Sequence, residues 1–85
     1  MDEGTDCSFF ILRKNTTEKA IEKIIDTFEN IVLGEDQGVE STALHTGETS
    51  IEVYGKMSPT EVSRALQVIT QCGSDCTDLV INNRI

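Results

Sequence analysis

The chain has 85 residues, 38% of them apolar, and its fifteen Asp and Glu against seven Lys and Arg leave a formal charge of −8 at pH 7. A chain of this length closes one core with nothing spare for another, so residues 7–85 are expected to form a single domain behind a disordered acidic tip at 1–6. The charge argues against direct binding of nucleic acid, whose affinity rests on neutralising phosphates, and no run approaches the roughly twenty apolar residues of a membrane span.

Cys7-Ser8-Phe9-Phe10-Ile11-Leu12 is apolar nearly throughout and reads as a first strand central in its sheet. Asn15, with Glu18 three residues on, forms a capping box for a first helix. That helix is expected to run to about Leu33 and to stop at Gly34 through a left-handed glycine. Its apolar arc comprises Ala20, Ile21, Ile24, Ile25, Phe28, Ile31 and Val32, so one side faces a core.

Residues 39–57 read as a β-hairpin turning at Gly47-Glu48, with Gly at the first position of a two-residue turn. The register that follows sets Leu44 opposite Ile51 and Thr42 opposite Val53. Ser41, Ala43, His45, Glu52 and Tyr54 then take the other face. Ser58-Pro59-Thr60-Glu61 is the strongest local signal: a Ser cap, Pro at the first helical position and Glu at the third. Val62, Ala65, Leu66, Ile69 and Cys72 share the inner arc of this second helix, Gly73 ends it, and residues 77–82 supply the last strand.

Strand, capped helix, strand, repeated, predicts an α+β domain of ferredoxin-like βαββαβ topology. Its four-stranded antiparallel sheet has the order 4-1-3-2, with both helices on one face. Phe10 and Leu12 would then face the helices and Phe9 and Ile11 the reverse. With Ala43, Tyr54 and Val80, these last two make an open apolar face expected to bind a partner, most simply a second copy in a homodimer.

Glu18, Glu22, Asp26 and Glu29 stack along one edge of the first helix, where like charges four apart repel. This acidic ridge is a second candidate contact, for a basic protein or for a nucleic-acid-binding protein that the acids engage as phosphate would. Lys19 and Lys23 are expected to relieve part of the repulsion.

Catalytic and metal chemistry find no constellation. Cys7, Cys72 and Cys76 are odd in number, and the topology sets Cys7 at the far end of the sheet from Cys76, leaving a Cys72/Cys76 pair without further ligands. His45 is the one histidine and has no acid or nucleophile at a useful spacing. No P-loop, dinucleotide fingerprint or zinc-protease motif occurs, and no cofactor or metal is expected.

The start at Met1-Asp2-Glu3 is acidic where a secretory leader would be basic and then apolar, and three cysteines suit a reducing compartment, so a cytoplasmic location is expected. The resulting expectation is a small acidic, non-catalytic interaction module acting as regulator, adaptor or inhibitor. The alternative is a small-molecule-sensing domain using the Gly34 to Gly38 connector, which rests on fold analogy.

Overall fold

A computed structural model of the chain describes residues 6–82. In chain order the elements are β1 (Cys7–Leu12), α1 (Glu18–Thr27) continued by a π-helical turn (Phe28–Val32), β2 (Gly38–Ala43), β3 (Thr49–Tyr54), α2 (Pro59–Gln71) and β4 (Cys76–Asn82). The four strands form one antiparallel sheet in the order β2-β3-β1-β4, which read from its other edge is the expected 4-1-3-2. The expectation of a disordered tip falls, for residues 1–5, outside the described residues. Asp6 is held, its carbonyl accepting the Gly55 N–H at 3.0 Å.

Strict alternation along β1 sorts its side chains: Ser8, Phe10 and Leu12 are buried, whereas Cys7, Phe9 and Ile11 are half-buried. Phe10 and Leu12 join Ile51 and Val53 of β3 in one apolar core with Ile24 and Phe28 of the first helix and Ala65, Val68 and Ile69 of α2. Both helices therefore cover the same face, as expected. Phe10 and Phe28 anchor this core edge-to-face, their ring centroids 5.8 Å apart, a geometry that sets a ring's positive edge on its neighbour's negative face.

The first helix departs from its expected ends. Asn15 is not the cap: it sits at φ 66° in the preceding turn, and Thr17 supplies the oxygen that accepts the Ala20 N–H at 3.1 Å. At the other end the backbone widens to an i→i−5 pattern, Leu33 N–H bonding Phe28 O at 2.9 Å. An added residue in the turn rotates Val32 into the core and leaves Ile31 57% exposed, although the 3.6 period grouped them on one arc. The Ile31 carbonyl accepts from Arg64 of α2 at 3.3 Å. Gly34 is not left-handed, and the connector is instead braced by Gln37, whose amide accepts the Gly34 N–H and donates to the Lys56 carbonyl.

Helix α2 starts as its sequence dictates, with the Ser58–Glu61 capping box complete and Pro59 in the first turn, and Gly73 follows it at φ 94°. The hairpin does not follow its expected register. Leu44 N–H bonds Glu48 O and Gly47 N–H bonds Leu44 O, so His45, Thr46 and Gly47 form a three-residue loop closed by Gly47 at φ 94°. β2 is displaced by an odd number of residues, and Ser41 rather than Leu44 lies opposite Ile51, Val39 rather than Thr42 opposite Val53. An odd slip exchanges the faces of a strand. Ser41 and Ala43 consequently share the face of Ile51, the helix side of the sheet, where both stay exposed at its edge, and Ala43 is not part of the open face.

Candidate functional site

Four of the five residues assigned to the open face lie there: Phe9, Ile11, Tyr54 and Val80. Pairing fixes their neighbours. Phe9 stands between Glu52 of β3 and Val80 of β4, Ile11 between Ser50 and Asp78, and Tyr54 between Cys7 and Gly38. On β2, Glu40 lies across from Glu52 and Thr42 across from Ser50. The apolar residues therefore form a strip along β1, widened by Val80, between carboxylates on either side. No Lys or Arg occurs among the described strand residues of this face.

The acids on one side are held in place. Tyr54 Oη lies 2.7 Å from Glu40 Oε2 and 2.9 Å from Glu52 Oε1, tying a carboxylate of β2 and one of β3 to a single phenol. Hydrogen bonds to Glu40 and then to Glu52, with their negative charge, push Tyr54 far above the ordinary tyrosine value. The phenol stays protonated at any physiological pH and serves as a donor, not as a base.

Glu52 was assigned to this face from its sequence position, whereas Glu40 and Asp78 were missed. Asp78 was in reach of the same alternation that assigned Val80. Glu40 was hidden by the hairpin slip.

The acidic ridge is present in part. Glu18, Glu22, Asp26 and Glu29 are all exposed, but Glu29 sits in the widened turn, out of the regular helical spacing of the other three. Glu18 and Glu22 border a groove of about 440 Å³ between α1 and β2, with Ile21, Ile25 and the displaced Ala43. Among the described residues Lys19 and Lys23 close no ion pair with these acids; the ion pair Arg13–Asp75, at 3.4 Å, joins the loop before α1 to the loop before β4.

Reactive groups are scattered. Cys7, Cys72 and Cys76 are free, and Cys7 pairs with Asn82 at the far end of the β1–β4 ladder from Leu12–Cys76. Burial pushes the Cys76 thiol up, away from the nucleophilic thiolate, and its Sγ–H points at the Asp78 carbonyl 3.1 Å away. His45 is exposed in the hairpin loop. Among the described residues no three His, Cys, Asp or Glu side chains converge as a metal centre would require, and no helix is long and apolar enough to cross a membrane. No protein-family model, curated protein or solved structure matches the chain.

Proposed function

We propose that this chain is a ferredoxin-like, non-catalytic interaction module of the cytoplasm that docks a basic protein on its open sheet face. It would act as a regulator, adaptor or inhibitor. The observation carrying this reading is the makeup of that face: Phe9, Ile11 and Val80 form an apolar strip, Tyr54 fixes Glu40 and Glu52 on one side of it, Asp78 stands on the other, and no cation lies between. An apolar centre with a charged rim is how protein interfaces are built.

The same makeup separates two occupants. A second copy packed sheet on sheet would bring carboxylates against a surface that carries carboxylates and no base, which like-charge juxtaposition opposes. A partner with Arg or Lys around an aliphatic patch meets no such penalty. Glu18, Glu22 and Asp26 would add long-range steering toward it without needing to touch it.

In the connector invoked by the ligand-sensing alternative, Gln37 is engaged in bracing the loop, bonded to Gly34 and Lys56. Light scattering across a concentration series, followed by titration of a partner recovered by affinity capture, tests the reading. A dilute monomer whose partner binding weakens in both Phe9→Ser and the Glu52→Gln/Asp78→Asn double variant supports it. Unchanged binding in both variants rejects it.

A further inference from the structure

The two edges of the sheet meet water differently. β2 carries Glu40 on its open face, and on its helix side Ser41 and Ala43 border the groove walled by Glu18 and Glu22. Charges and small side chains of this kind deter another strand from adding. β4 is less protected: Asp78 is the one charge it carries, Leu79, Val80 and Ile81 follow it without Lys or Pro, and its one pairing irregularity lies at its start, opposite Ile11/Leu12. Val80 and Ile81 point to opposite faces and are each 45% exposed.

Ile81 also lines a groove of about 480 Å³ whose other wall is the first half of α2, through Pro59, Val62 and Leu66, with Met57 beside them. Lys56 is the one charged side chain among the described residues that line it, and a lysine at a groove rim can lend its aliphatic stem while keeping the ammonium in water. A strand edge with no neighbouring strand among the described residues thus lies beside an apolar trough. Its Leu79 N–H is met by the strand's own Asp78 carboxylate at 2.9 Å, and an added strand would take over that N–H and free the carboxylate.

We propose that the β4 edge and this trough bind an extended segment of a basic partner protein, which joins the sheet as a further strand. Its backbone hydrogen-bonds to β4, alternate apolar side chains enter the trough against Val62, Leu66 and Ile81, and the intervening ones lie on the open face beside Val80 and Asp78. Asp78 is exposed and the chain carries −8 overall, so those intervening residues are Lys or Arg. A second copy presenting its own β4 would bring another Asp78 and another −8 to the seam.

This deepens the interaction-module reading with a second contact, on an edge rather than a face, and the two fail separately. The probe is a short capped synthetic peptide alternating valine with lysine, set against a scrambled peptide of the same composition and one with glutamate for lysine. Isothermal titration gives affinity, and NMR gives amide exchange and shift changes.

The expected result is slowed exchange at outward-facing β4 amides, shifts at Val62 and Leu66, and preference for the alternating basic peptide. The Val80→Lys/Ile81→Lys double variant, with its melting transition retained, should bind at least ~10-fold more weakly, while Lys23→Gln on the exposed side of α1 binds as the parent does. Equal binding of the scrambled or glutamate peptide, or protection at β2 instead, overturns the proposal. So does β4 protection without peptide: if it grows with protein concentration the edge belongs to a second copy, and if it is present in dilute protein it belongs to the chain's own terminal residues.

Discussion

Tyr54 reaches across the β2–β3 pair to Glu40, its Oη 2.7 Å from the carboxylate, while Glu52 of its own strand stands 2.9 Å away. Ionising the phenol would remove the one proton it shares between the two carboxylates and set a third negative charge beside them. The tyrosinate should therefore appear well above the ordinary value of 10. Tyr54 is the chain's one tyrosine and there is no tryptophan, so absorbance during alkaline titration follows it alone.

Glu40→Gln should move the titration back toward 10 by more than Glu52→Gln, because the Glu40 bond contributes most to the shift. The sign for stability follows from the raised value. Below the unfolded value near 10 the contribution is complete, and it is lost as pH climbs through the folded value, since the unfolded chain releases its proton first. A native protein, verified by circular dichroism, that ionises at 10 would show that the Glu40–Tyr54–Glu52 cluster does not form.

Caps offer a sharper comparison, because the sequence offered one candidate and the fold uses another. Thr17 accepts from Ala20, whereas Asn15 occupies a left-handed turn at φ 66°. Thr17→Ala should cost ~1 kcal/mol in urea denaturation. Asn15→Gly should be neutral or slightly stabilising, since glycine enters that region without steric cost. A harmless Thr17→Ala would return the capping role to Asn15.

The order of strands and helices, the Ser58 cap and the faces of β1 and β4 were legible because each rests on a short-range rule: alternation, helical period or a capping box. Phe9, Ile11 and Val80 were located correctly for that reason. Two features needed more. Gly47 suits equally the first position of a two-residue turn and the left-handed close of a three-residue loop, and local sequence does not choose between them. The choice moved Ala43 to the helix side of the sheet and brought Glu40 to Tyr54. The widened turn at Phe28–Val32 likewise breaks the period that grouped Ile31 with the core.

Two glycines with nearly the same backbone separate conformational strain from contact. Gly55 has φ 96° and Gly73 φ 94°. A Cβ at Gly73 would meet nothing within 4 Å, whereas one at Gly55 would lie 2.9 Å from Gln37 Cγ and 3.4 Å from the Asp36 carbonyl. Gly73→Ala should cost ~1–2 kcal/mol, the left-handed penalty alone. Gly55→Ala should cost more, because Gln37 is held by its bonds to Gly34 and Lys56 and does not yield freely. Equal losses in paired urea denaturation curves would show that Gln37 moves aside.

Two buried serines predict changes of opposite sign. Ser8 is 1% exposed, paired with Val53 and Ile81 on the helix side of the sheet, and its Oγ has no hydrogen-bond partner. Ser74 is 3% exposed, but its hydroxyl lies 2.7 Å from that of Thr16, which also donates to the Arg13 carbonyl and so ties the loop before α1 to the loop after α2. An unpaired hydroxyl out of water costs ~1–3 kcal/mol, while deleting one partner of a made bond leaves the other stranded. Ser8→Ala should therefore raise the melting temperature, by ~4–8 °C for each kcal/mol recovered in a domain of this size. Ser74→Ala should lower it. Calorimetry of the two variants beside the parent decides: a drop for Ser8→Ala would mean that its hydroxyl is satisfied after all.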